Sequence, residues 1–119
     1  MNTLLVDFVG HRLSLWSRHL ERCGLDVTTA ETADAAMEKL TLMRFDTMVI
    51  NMGLPGGTAL SVSDYAIFKN PDIRIVAVSS DKFFSDGTLF KFIPNLRSHL
   101  ADSVHVEDMS ATVAHYAAH

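Results

Sequence analysis

Phe45-Asp46-Thr47-Met48-Val49-Ile50-Asn51 runs directly into Met52-Gly53-Leu54-Pro55-Gly56-Gly57. Thr47 to Ile50 is a short, nearly apolar run without polar alternation, as expected of a strand covered on both faces. Proline and paired glycines then stop regular structure, and Thr58 stands where the N-cap of a following helix belongs. Asn70-Pro71 closes that helix, because a residue before proline is driven out of helical geometry. The stretch is therefore one strand–loop–helix unit with Asn51 at the carboxyl end of its strand.

The same unit repeats on either side. Thr3-Leu4-Leu5-Val6-Asp7 reads as a first strand, followed by helical periodicity from His11 to Cys23. Leu13, Trp16, Leu20 and Cys23 share the apolar face there, and Gly24 sits at the left-handed C-terminal position. Leu25 to Thr29 is a second strand. Glu31 to Met43 is a second helix, with Thr32 as N-cap and Ala33, Ala36, Met37 and Leu40 facing inward. Ile73 to Val78 is a fourth buried strand that ends in Ser79-Ser80. Asp81 to Gly87 then reads as a loop and Thr88 to Ala101 as a helix carrying Pro94. Val104-His105-Val106 is a fifth strand and Glu107 to Ala118 the last helix. Five strands alternating with five helices predict a doubly wound five-stranded parallel sheet with helices on both faces, of flavodoxin-like type. In such folds chemistry collects at the carboxyl ends of strands.

Composition narrows the class. At 119 residues, the chain is long enough for one domain spanning 1–119. With 48% hydrophobic and 20% charged residues it is globular rather than disordered. Apolar runs are too short for a membrane span, and Met1 to Asp7 lacks the features of a signal peptide. A formal charge of −4 argues against binding nucleic acid through bulk charge. A single cysteine, Cys23, excludes an internal disulfide and fits a reducing cytoplasm.

Leu4-Leu5-Val6-Asp7, the stretch from Phe45 to Gly56, and Ile75-Val76-Ala77-Val78-Ser79-Ser80 together resemble, in order and spacing, the receiver domains of response regulators. The resemblance covers about the first 80 residues and implies a receiver-type fold and a bacterial two-component setting, with signal transduction as the role. It also implies five chemical positions. The paired acidic residues that bind Mg²⁺ map to Asp7 and Phe8, the phosphoacceptor to Asn51 and the strand-four hydroxyl to Ser79. The strand-five lysine belongs near Ser103 to Val106, where none stands, since no lysine follows Lys91. Asp7 and Ser79 thus keep the family's residue type.

The departures have chemical consequences. Mg²⁺ is held through one or two carboxylates plus phosphate oxygens, and the Phe8 ring removes one carboxylate. The Asn51 amide, its lone pair delocalised, is a poor nucleophile and forms no acyl phosphate. No lysine offsets phosphoryl charge. The expectation is an atypical pseudo-receiver, not phosphorylated at the usual position, with Mg²⁺ binding weak or lost, no cofactor and no catalysis. Each residue also has a plain structural reading: Asp7 as a turn cap, Asn51 as a turn-former satisfying loop amides, Ser79 as the first residue of a loop.

His11, Arg18 and Arg22 form a ridge on the first helix, with Leu15 near it and Arg12 and His19 beside it; His11 and Arg12 also lie near the loop after the first strand, within reach of the pocket, with nothing in the sequence to position them there. Either this is a solvated face, or it docks a protein partner by charge complementarity. In receivers this helix meets kinase or phosphotransfer bundles, so the resemblance implies a histidine kinase, phosphotransfer protein or other regulator as partner, with a homodimer as a further possibility. Phe83-Phe84, with Phe90 and Phe92 soon after, either mark an exposed contact surface or, the favoured reading, tuck into the edge of the core, and His99 or His105 is expected to take the place of the family's aromatic switch residue. His115 and His119 are four apart without a metal-binding motif. No nucleophile–base pair is assignable from sequence. Two other readings stay open: a small-ligand sensor lined by Phe8, Asn51 and Ser79, and a receiver with an unusual acceptor, Asp46 or Ser79.

Overall fold

The computed structural model describes residues 1–80 and 89–119. In chain order the elements are β1 (Asn2–Val6), α1 (Gly10–Arg22), β2 (Asp26–Ala30), α2 (Ala33–Leu42), β3 (Thr47–Asn51), α3 (Ala59–Lys69), β4 (Arg74–Ser79), α4 (Leu89–Phe92), β5 (Leu96–Ala101) and α5 (Val106–Ala118). The strands form one parallel sheet in the order β2-β1-β3-β4-β5. After β2 the chain crosses over β1 to lay down β3, so the strand order reverses between β1 and β3. The expected doubly wound five-stranded sheet is the observed one.

Strand alternation divides the interior into two cores. Leu4, Val6, Met48, Ile50, Ile75 and Ala77 face the side covered by α2, α3 and Ile93. Leu5, Val49, Val76 and Val78 face the other side, against Leu13, Trp16 and Leu20 of α1 and Met109, Val113 and Ala117 of α5. A central strand apolar on both faces is what this two-sided burial demands. Leu13, Trp16 and Leu20 are buried as their spacing predicts. The Thr32 hydroxyl caps α2 by accepting from the Ala35 amide at 3.0 Å. Gly24, with φ of 86°, takes the left-handed position after α1.

Several expectations are corrected. Cys23 is exposed, because α1 stops at Arg22 and Cys23 leaves the helical path with ψ near 5°. Thr58 precedes α3 but does not cap it, since a short 3₁₀ turn over Pro55–Gly57 leads into it in helical geometry. Its hydroxyl instead donates to the Pro55 carbonyl at 3.0 Å. The fifth strand is Leu96–Ala101, not Val104-His105-Val106. Leu96-Arg97-Ser98-His99-Leu100-Ala101 has helix-forming composition, but Pro94 breaks the helix before it and the open edge of β4 recruits it. Val104 lies in the turn after β5, and His105 stands at the N-terminus of α5. Phe90 and Phe92 are exposed, and Ile93 alone of that segment is fully buried. The expected loop from Asp81 to Gly87, with Phe83 and Phe84, lies outside the described residues.

Candidate functional site

At the carboxyl edge of the sheet the ladder runs on past the strands. The Asp7 amide donates to the Ala30 carbonyl at 3.1 Å, Met52 to Val78 at 2.7 Å and Asp102 to Ser79 at 2.8 Å. Asp7, Asn51, Ser79 and Asp102 are thereby held side by side at the ends of β1, β3, β4 and β5, where the strand order reverses.

Asp7 is 2% exposed and fully engaged. Its Oδ1 accepts from the Val9 amide at 3.0 Å and from Arg12 Nη2 at 3.1 Å, and its Oδ2 accepts from Arg12 Nε at 2.7 Å. The Val9 contact is the turn cap expected of Asp7; the bidentate arginine is a contact sequence reasoning did not assign. Arg12 Nη1 also lies 3.6 Å from Asp102 Oδ2, and the guanidinium carbon lies 5.9 Å from the centre of the Trp16 ring. One arginine from the first turn of α1 therefore bridges the end of β1 and the turn after β5.

Asn51 does what a turn-former does. Its Oδ1 accepts from the Gly53 amide at 2.8 Å, and its Nδ2 points towards Asp7 Oδ1 at 3.5 Å. The loop closes on it tightly: a Cβ on Gly53 would lie 3.1 Å from Asn51 Oδ1 and about 3.5 Å from the Phe8 ring. Phe8 itself is 45% exposed. Phe8, Asn51, Met52, Gly53, Ser79, Ser80 and Asp102 line a cavity of ≈ 400 Å³. Asp46 lies at the opposite end of β3, where its carboxylate accepts from the Asn2 amide, so it is remote from this site.

Ser79 is 3% exposed, and its Oγ lies 2.8 Å from His99 Nε2 on β5. Burial lowers the His99 pKa below its ordinary 6.5 and favours the neutral ring. A hydroxyl–imidazole pair is thus present where sequence reasoning assigned none. His99 escaped it because its segment reads as helix. His99 occupies the strand, whereas His105 lies beyond it at the start of α5.

No family model and no curated protein matches the chain. Solved structures do. A response regulator from Burkholderia pseudomallei, described with a phosphorylated aspartic acid, calcium and citrate, superposes with a TM-score of 0.80 at 24% identity, over 98% of this chain and 68% of that one. A CheY-like receiver domain from Methanospirillum hungatei gives 0.84 at 18%, over 98% and 93%. A chain described as an adenylate cyclase from Rhodopirellula baltica gives 0.86 at 19%, over 98% and 87%.

The protein has the receiver fold. At these identities the likeness is one of architecture, and the chemistry has to be read from this chain's own side chains. The lysine expected near Ser103 to Val106 has to be sought at the true end of strand five, where the residue after Ala101 is Asp102, of opposite charge. The divalent cation associated with receivers is a poor fit to the residues present. Both oxygens of Asp7 are taken by a guanidinium, the neighbouring position is a phenyl ring, and a third residue offers an amide. Among the described residues no three His, Cys, Asp or Glu side chains are grouped to hold a metal ion, and no helix is long and apolar enough to cross a membrane.

His11, Leu15, Arg18 and Arg22 are all exposed on α1. They are separate from the strand-end cluster, although His11 and Leu15 line a groove of ≈ 470 Å³ with Ser103, Val104 and His105. Arg12, grouped with that ridge by sequence, turns away from it into the site. Its signal in the sequence is a five-residue step from a strand-end aspartate to an arginine in the first turn of the following helix.

Proposed function

We propose that this receiver fold acts in signal transduction as a protein-interaction module of the cytoplasm, without phosphorylation at Asn51 and without Mg²⁺. The observation that carries the reading is the state of the strand-end cluster. Asn51 offers an amide already engaged by the Gly53 backbone, and the one carboxylate beside it is neutralised from within by Arg12. A carboxylate already paired within the chain and an amide already bonded to the loop leave neither an acceptor for a phosphoryl group nor a free ligand for its counter-ion. The Ser79–His99 pair fits a structural tie between β4 and β5 better than a nucleophile, because the hydroxyl is almost wholly enclosed. The reading is accordingly non-enzymatic.

The partner surface is the α1 face carrying His11, Leu15, Arg18 and Arg22. A histidine kinase, a phosphotransfer protein or another regulator with an acidic helical face suits it, since cationic side chains around an apolar centre steer and then seat such a surface. A second copy of the chain is the other candidate. Incubation with Mg²⁺ and acetyl phosphate, read by intact mass, tests the proposal, with Asn51→Asp in parallel. The expected result is no adduct on the wild type. An adduct would overturn the reading, and peptide mapping would then show whether Ser79 or another residue accepts.

One observation favours a second reading. The ≈ 400 Å³ cavity combines the exposed Phe8 ring with the Asn51 amide, the Ser79 and Ser80 hydroxyls and the Asp102 carboxylate, a lining suited to a small polar ligand without negative charge. A saturable rise in melting temperature with one member of a metabolite panel would favour that sensor role.

A further inference from the structure

We infer that Arg12 is the resident cation of the strand-end site, standing where a divalent ion would have to meet Asp7. This rests on the reading above that the site takes no phosphoryl group, and it names what keeps the site closed to metal. A guanidinium fork matches a carboxylate through two parallel hydrogen bonds and stays protonated at any physiological pH. Here the fork spans both oxygens of a carboxylate that is nearly inaccessible to water, and Val9 supplies a further donor. A divalent ion needs those same oxygens. To reach them it must evict the guanidinium, whose side chain is only 17% exposed, and leave it beside a second cation. Ligand competition and like-charge repulsion therefore act together against the metal. Asp102 completes the arrangement, since the third guanidinium nitrogen faces its carboxylate.

The consequence reaches beyond metal exclusion. Arg12 ties β1, α1 and the turn after β5 through one side chain, so the groove formed by His11, Leu15, Ser103, Val104 and His105 is held with no ion or modification present. A covalently attached cation cannot be withdrawn by lowering the Mg²⁺ concentration. The α1 face is thereby presented constitutively.

Trp16 is the chain's lone tryptophan and lies against Arg12, which makes its fluorescence a local reporter. Mn²⁺ titrations of that fluorescence, with melting temperatures in the presence and absence of Mg²⁺, are made on the wild type, Asn51→Asp, Asn51→Asp/Arg12→Met and Asn51→Asp/Arg12→Lys. The expected result is saturable quenching and Mg²⁺-dependent stabilisation in the methionine double variant alone. The lysine variant keeps a cation and is expected to stay silent, which separates charge from lost packing. Equal binding by Asn51→Asp with Arg12 in place would overturn the inference, and so would a folded methionine variant that binds nothing. If the methionine variant does not fold, Arg12→Gln takes its place under the same two criteria. Metal binding by the wild type would overturn both this inference and the metal-free part of the functional reading. An acetyl-phosphate adduct on a wild type that binds no metal would sink that reading alone.

Discussion

His99 reaches from the last strand to the Ser79 hydroxyl, and its burial makes the charged ring costly in the folded state. The sign of the pH dependence follows. As pH falls through 6.5 the unfolded chain takes up this proton before the folded one does, so the unfolded state binds more protons and stability falls. The stability is fully present above that value and is lost as pH drops through the lowered folded pKa, below which the slope from this group vanishes. Urea midpoints measured across that window should decline in the wild type, and His99→Gln should remove part of the decline. Equal slopes in the two proteins would refute it. At this scale sequence was a partial guide to the site. Asp7, Asn51 and Ser79 were legible because each ends an apolar run. Arg12, His99 and Asp102 were not, because their roles depend on which strand or helix turn delivers them to the same edge.

At the scale of elements, local signals served wherever the local and the tertiary preference agreed. From β1 to β4 the apolar runs, caps and turns all point to one alternation, and the expected boundaries lie within a few residues of the observed ones. The agreement ends at β5. Its residues prefer helix, its burial is only partial, and the strand exists because β4 offers an unpaired edge. Val104-His105-Val106 misled in the opposite sense, β-branched composition being no bar to starting a helix. The Thr32 cap on α2 gives the clearest elemental test, since the residue is exposed and its hydroxyl accepts from the Ala35 amide. Thr32→Ala should cost about 1 kcal/mol, while Thr32→Gly should cost only a few tenths. In a domain of this size that is a fall of about 4 °C in melting temperature for the alanine variant. An alanine variant as stable as the wild type would mean that water replaces the cap.

Across the whole molecule, charged groups and enclosed hydroxyls are treated differently, and the Ser80 hydroxyl after β4 is, like two at the amino end, without a hydrogen-bond partner among the described residues. At the carboxyl end every charged group of the cluster has a partner. At the amino end Thr3 and Thr47 are fully buried register partners on the adjacent strands β1 and β3, and neither hydroxyl has a hydrogen-bond partner among the described residues. By strand alternation both face the α1 and α5 side, with Leu5 and Val49. An enclosed hydroxyl without a partner bears its desolvation cost unrelieved, and valine has nearly the same shape without it. Thr3→Val and Thr47→Val should therefore each stabilise the fold by about 1 kcal/mol, read as a higher urea midpoint with an unchanged slope. The two sites adjoin, so the double variant need not show the simple sum. Because the change lies at the far end of the strands from Asp7 and Asn51, it should leave Mn²⁺ and acetyl-phosphate responses as they are in the wild type. A loss of stability in both single variants would show that the hydroxyls are satisfied in solution, with a buried water between the strands as the partner to look for.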